Sequence, residues 1–122
     1  MILRTGIDII EIERIHLALE RHGERFLQRI FTPDEIRYCS GKAESLAARF
    51  AWKEAASKAL GSGIGPVGWL EIEIRGGELE APAVILHGRA EKIAKILGLT
   101  IWSVSLSHSD ENAVAIVVAM GE

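Results

Sequence analysis

Apolar and β-branched residues dominate positions 2–9, Ile-Leu-Arg-Thr-Gly-Ile-Asp-Ile, which predicts a mostly buried first strand carrying one acid, Asp8. From Glu11 the period changes. Ile12, Ile15 and Leu19 recur at helical spacing with Arg14 and Arg21 off that stripe, and Gly23 can end the helix after His22. A second short helix carries Phe26, Leu27 and Ile30. Thr32-Pro33-Asp34-Glu35 has the form of a helix start, with Thr32 as cap and Glu35 three residues on, as a capping box requires. The longest helix is expected from Ala43 to Leu60, ended by Gly61. A glycine-rich loop, GSGIGPVG at 61–68, leads to a strand over Trp69–Arg75. Gly76-Gly77 is a turn signal, and a second strand is expected over roughly Leu79–Leu86, with Pro82 marking an edge or a bulge. A short helix over Arg89–Leu97, with Gly98 as its cap, precedes two strands, Ile101–Ser107 and Ala113–Ala119, around the polar turn His108-Ser109-Asp110-Glu111-Asn112. The order β, three α, ββ, α, ββ predicts a single α+β domain over residues 1–122, a small antiparallel sheet packed with helices.

Composition narrows the classes. With 48% hydrophobic and 25% charged residues in 122, the chain can build one core and is neither disordered nor low-complexity. The longest stretch without a formal charge, Ile96 to Ser109, is too short and too polar to span a bilayer, and Arg4 and Asp8 interrupt the N-terminal apolar run that a signal peptide needs. No membrane partner and a cytoplasmic location are therefore expected. One cysteine, Cys39, cannot build a disulfide framework or a cysteine metal cage. A net charge of −3 weighs against a surface that embraces nucleic acid.

Gly63-Ile64-Gly65-Pro66-Val67-Gly68 has the glycine spacing of the dinucleotide fingerprint, but the strand–loop–helix order is reversed and Pro66 lacks an N–H. The loop could still bring backbone amides to a phosphate in another geometry, or simply connect a helix to a strand. The long helix is more informative. Glu54 and Lys58 fall inside the apolar stripe of Ala43, Ala47, Phe50 and Ala51, while Arg49 and Lys53 lie on another side, so no single solvent face exists. The bland reading is an i,i+4 Glu–Lys pair; the alternatives are a functional site or a helix packed in an oligomer. Asp8, in an apolar strand, has to be hydrated, paired with a cation or bound to a metal. Two carboxylates, Asp8 and Glu54, would suit Mg²⁺ shared with substrate phosphates if the fold brings them together. Finally, Ser105-Leu106-Ser107-His108-Ser109 ends a strand in donors suited to phosphate.

Taken together, GIDIIEIERI, SLAARFAWKEAASKALGSGIG and WSVSLSHSDENAVAIVVA resemble holo-acyl-carrier-protein synthase, the short bacterial class of 4′-phosphopantetheinyl transferase. The resemblance spans nearly the whole chain. It implies transfer of the 4′-phosphopantetheine arm of coenzyme A to a serine of apo acyl carrier protein, in support of fatty acid biosynthesis, with release of adenosine 3′,5′-bisphosphate. By the same resemblance Asp8 and Glu54 are the Mg²⁺ ligands, and Lys58 sits beside the transferred phosphate. Arg49 and Phe50 contact the nucleotide, His108 binds its phosphates, and Gly61, Gly63 and Ser109 join the coenzyme A site. Glu54, directly or through a metal-bound water, is the implied base for the attacking serine. The family assembles as trimers with active sites between neighbours. Many relatives have Ala or Ser where Trp52 stands, a difference expected to leave the chemistry alone, and a Gly-x-Pro turn in place of Glu80-Ala81-Pro82.

Acyl carrier proteins are acidic, and Arg14, Arg21 and Arg25 fall within about 40° of one another on ideal helical spacing, which makes them the candidate carrier-binding surface. The competing class is a binding module in which these arginines and Arg29 grip an anionic polymer and the Glu54/Lys58 pair is only structural. Interspersed Glu11, Glu13, Glu20 and Glu24 weaken that reading for nucleic acid.

Overall fold

A computed structural model describes residues 1–77 and 81–122. In chain order these form β1 (Ile2–Glu11), α1 (Ile12–His22), α2 (Glu24–Ile30), α3 (Pro33–Cys39), α4 (Ala43–Leu60), a 3₁₀ turn (Trp69–Glu71), β2 (Ile72–Arg75), β3 (Ala83–Leu86), α5 (Gly88–Leu97), β4 (Ile101–His108) and β5 (Asn112–Gly121). The strands make two antiparallel sheets, one of three strands in the order β1-β5-β4 and a small one pairing β2 with β3.

The three-stranded sheet alternates cleanly between two faces. Gly6, Ile10, Ala113, Ala115, Val117 and Ala119 are buried against α4, whose own Ala47, Ala51, Ala55 and Ala59 are fully buried. Small residues on both sides allow the backbones to approach closely: a Cβ at Gly6 would overlap the carbonyl oxygen of Ala55. The other face is open and largely apolar. Register stacks Leu3, Met120 and Ile101 in one row and Ile7, Ile116 and Ser105 in another, with Leu3, Ile7 and Ile9 each about 60% exposed.

α4 is the central element. It packs on β1, β5 and β4 and is ringed by α1, α3, α5 and β2, which is why its sequence shows no solvent face. The protomer alone therefore accounts for a pattern that the sequence left open between a site and an oligomer contact. Lys53, fully buried, is neutralised by Glu35 at 2.7 Å and donates to the carbonyls of Trp69 (3.0 Å) and Ile72 (2.7 Å). Burial pulls its pKa down, opposed by the charge and hydrogen bond of Glu35. Glu35 also completes the expected capping box, accepting from Thr32 N–H, and takes the Ile74 N–H as well. Thr32 in turn donates to Glu73, whose other oxygen meets His87 at 3.1 Å.

Two boundaries differ from expectation by three residues or more. Residues 69–71 form a 3₁₀ turn instead of the start of a strand, because Lys53 gathers the carbonyls at both ends of this segment and the Glu71 carboxylate takes the Gly68 N–H. Glu71 also accepts from the N–H groups of Arg89 and Ala90 at the start of α5; the Gly68 bond is the largest influence holding its pKa below the ordinary glutamate value. The strand expected from Leu79 begins at Ala83, directly after Pro82, while Leu79 and Glu80 lie outside the described residues.

Candidate active site

Strand alternation puts Asp8 on the face of β1 that meets α4, two residues beyond the close contact at Gly6. On α4, Phe50, Glu54 and Lys58 form one column at i, i+4, i+8. These two elements bring Asp8, Glu54 and Lys58 together. Lys58 Nζ pairs with Asp8 Oδ1 at 3.3 Å and donates to the Ile7 carbonyl at 2.9 Å; among the described residues it makes no ion pair with Glu54. Burial first, and then the negative charge of Asp8, raise the pKa of Glu54, with Lys58 acting in the opposite sense. Asp8 and Glu54 are thus near enough for their charges to interact, which the linear sequence could not show.

A pair of carboxylates fits Mg²⁺ better than it fits a metal caged by protein alone. Among the described residues no group of three or more His, Cys, Asp or Glu side chains gathers to hold an ion. Mg²⁺ commonly takes one or two carboxylates and leaves its remaining positions to water and substrate phosphates. Asp8 and Glu54 suit an ion shared with a phosphorylated ligand.

Arg49 and His108 meet elsewhere. They border a cleft of about 340 Å³ together with Lys42, Ser45, Trp52 and Leu106. Arg49 is almost fully buried, with its guanidinium 4.3 Å from the Tyr38 ring centroid and 5.7 Å from that of Trp52. One terminal nitrogen donates to the Gly76 carbonyl, and Nε is buried with no partner. Phe50 is not in this cleft: it packs on Trp69, centroids 4.7 Å apart, in the column that carries Glu54 and Lys58. Arg49 and Glu54 are about 140° apart around the helix axis, so one protomer splits the predicted coenzyme A residues between two faces of α4.

At the start of the glycine loop, Gly61, at φ 78°, and Gly63 direct their N–H groups back to the Lys58 and Ser57 carbonyls and close the end of α4. Ser109 Oγ accepts from the N–H groups of Glu111 and Asn112, which closes the β4–β5 turn, and His108 stands exposed beside it.

Arg14, Arg21 and Arg25 are all exposed. Gly23 separates the first two on α1 from Arg25 on α2, where Arg25 joins His22, Phe26, Arg29, Ile30 and Trp69 around a mostly apolar cleft of about 520 Å³. Sequence reasoning missed that cleft and the place of Trp52 in the smaller one. The signal available for Trp52 was a large aromatic three residues after Arg49, hence on the same helix face.

Comparison with known proteins gives the family. Residues 4–117 match the model of the 4′-phosphopantetheinyl transferase superfamily. A holo-[acyl-carrier-protein] synthase of Herpetosiphon aurantiacus is 48% identical over 98% of this chain and 99% of that protein, and one from Carboxydothermus hydrogenoformans is 50% identical over 93% and 94%. The fold superposes on the Helicobacter pylori holo-[acyl-carrier-protein] synthase solved in complex with coenzyme A with a TM-score of 0.86, 38% identity and coverage of 95% and 99%. The Neisseria meningitidis synthase gives a TM-score of 0.84 at 36% identity, covering 96% and 97%. Nearly complete coverage in both directions leaves no part of the chain to a different family, and the chain belongs to the holo-acyl-carrier-protein synthases of the 4′-phosphopantetheinyl transferase superfamily.

Proposed function

We propose that this chain transfers the 4′-phosphopantetheine group of coenzyme A to a serine of apo acyl carrier protein, Mg²⁺-dependently, in support of fatty acid biosynthesis. The observation that carries the reading is the meeting of Asp8, Glu54 and Lys58 in a chain of this family. The serine Oγ attacks the phosphorus that bears pantetheine, the bond from that phosphorus to the leaving phosphate oxygen breaks, and adenosine 3′,5′-bisphosphate departs. Glu54 accepts the serine proton, for which its raised pKa suits it. Lys58, released from Asp8 by a competing anion, neutralises charge on the phosphates. Asp8 and Glu54 would hold Mg²⁺, which when bound supplies charge neutralisation at the pyrophosphate. The rest is positioning.

The two halves of the site lie on different faces of α4, which supports an active site completed by a second copy. The open sheet face supports a trimer: Leu3, Ile7, Ile9 and Ile116 form an apolar surface of a kind that soluble chains rarely leave uncovered. Val and Ala in the last two strands suggest β4 and β5 as the contact, but the alanines of β5 face α4, β4 contributes mainly serines, and β1 supplies most of the apolar area. Light scattering should give three times the protomer mass, and Ile7→Glu with Ile116→Glu should yield monomers without transfer. A wild-type monomer at micromolar concentration counts against shared sites.

The carrier protein is assigned to α1 and α2. Arg25 and Arg29 line an apolar cleft, with Arg14 and Arg21 exposed on the preceding helix, a combination suited to an acidic helix with apolar anchors. Reversing charge at Arg14 and Arg21 should raise the carrier KM severalfold and flatten its salt dependence, with the coenzyme A KM nearly unchanged. Equal weakening toward both substrates would instead indicate a damaged fold.

No helix among the described residues is long and apolar enough to cross a membrane, which accords with work in the cytoplasm. The deciding experiment mixes the protein with coenzyme A, Mg²⁺ and apo carrier protein and follows the carrier by mass spectrometry. Gain of one phosphopantetheine per carrier is expected. Coenzyme A binding without that gain would indicate an inert relative, and no binding would favour a module that holds an anionic polymer.

A further inference from the structure

We infer that Trp52 is a positioning residue for the nucleotide of coenzyme A, locking the strand that carries His108 to the helix that carries Arg49. The inference rests on the coenzyme A reading above. β4 is the outer strand of its sheet, so part of its backbone has no strand partner. Trp52 Nε1 donates to one such carbonyl, that of Ser105, at 2.9 Å. His108 stands three residues further along the same strand and lines the same 340 Å³ cleft as Arg49. The indole thus bridges the two elements whose separation sets the width of the cleft.

The same ring fixes Arg49. The guanidinium carbon lies 5.7 Å from the Trp52 ring centroid and 4.3 Å from that of Tyr38, and the far edge of the indole would be 3.4 Å from a Cβ at Gly77, next to the Gly76 carbonyl that Arg49 holds. Trp52 is only 1% exposed, so it acts through Arg49 and His108 and not by touching the ligand. The bulk expected to leave the chemistry alone instead shapes the nucleotide cleft. An Ala or Ser here could make neither the bond to Ser105 nor the ring contact with Arg49.

Trp52→Phe keeps a ring and removes the N–H. In the intact enzyme it should raise the coenzyme A KM about three- to tenfold and weaken inhibition by adenosine 3′,5′-bisphosphate by the same factor, while kcat and the carrier KM stay within twofold. Because the residue acts in part through His108, adding Trp52→Phe to His108→Ala should cost less than it costs the wild type. Unchanged affinity for both nucleotides, or an equal fall in kcat and in both affinities, would overturn the assignment. A check on the wild-type protein is independent of whether the variant folds. The Trp52 indole N–H resonance, identified by separate Trp69→Phe and Trp102→Phe spectra, should shift and exchange more slowly on addition of adenosine 3′,5′-bisphosphate. An unmoved Trp52 signal at saturation refutes the role. Failure of the wild type to bind either nucleotide refutes the coenzyme A reading itself, a distinct result.

Discussion

Asp8→Ala and Glu54→Ala should each reduce phosphopantetheine transfer by at least three orders of magnitude while leaving the protein folded. The physical ground is that neither carboxylate contributes to packing. Asp8 closes an apolar stretch of β1 and is paired only with a half-exposed lysine, a contact worth little to stability. Glu54 is held in an environment that opposes its ionisation, through burial and the nearby charge of Asp8. Groups kept where they disfavour their own charge are candidates for chemistry. Removing either should slightly raise or leave unchanged the melting temperature, since it relieves that repulsion. Both variants should also lose the Mg²⁺-dependent part of coenzyme A binding, seen by calorimetry with and without chelator. Near-normal activity of either variant at low Mg²⁺ would exclude the two-carboxylate site.

The same arrangement sets a pH dependence. A raised pKa keeps the proton on Glu54 to higher pH, so the acid limb of the rate should lie above the range of an ordinary glutamate. Mg²⁺ favours the ionised pair, and raising its concentration should move the limb to lower pH. Lys58→Ala belongs to a different class of effect. Its ammonium matters most when negative charge builds on the phosphates, so kcat should fall more than coenzyme A affinity.

How far the sequence carries the argument depends on the range of the interaction. Gly23, Gly61 and Gly98 marked helix ends correctly, and Thr32 with Glu35 forms the expected capping box, because caps are settled within a few residues. Asp8 and Glu54 stood out as charges inside apolar patterns, a signal that needs no knowledge of the fold. Their meeting needed it, since 46 residues separate them along the chain. The turn at 69–71 was misread as strand because its cause, the Lys53 ammonium, approaches from another element. Likewise Arg49 and Phe50 are neighbours in sequence, yet a 100° rotation between successive residues sends Arg49 to the smaller cleft and Phe50 to the Trp69 ring. The alanine-rich α4 looked like a helix in want of a partner, and only the fold shows that seven neighbouring elements provide one.

Lys53→Met should be the most damaging single change to stability, by about 3–5 kcal/mol, because it leaves the Glu35 carboxylate buried without its counter-ion. Met matches the length of the lysine stem, so the loss is electrostatic and not a cavity. The Trp69 and Ile72 carbonyls would also lose their common donor, loosening the turn that bears Phe50's aromatic partner and the wall of the larger cleft. At a fixed protomer concentration the melting temperature should drop by roughly 10–20 °C. A second substitution separates charge from packing. Glu35→Gln added to Lys53→Met removes the orphaned charge but keeps one oxygen for the Thr32 N–H, and it should recover a substantial part of the loss. The Ile74 N–H, which now donates to the second carboxylate oxygen, would face the amide nitrogen, so recovery should stop short of wild type. Because Glu54 and Lys58 lie about 100° and 140° around α4 from Lys53, transfer by the double variant at low temperature should approach the wild-type rate. A Lys53→Met protein that melts with the wild type would mean that the Lys53–Glu35 ion pair adds nothing to stability.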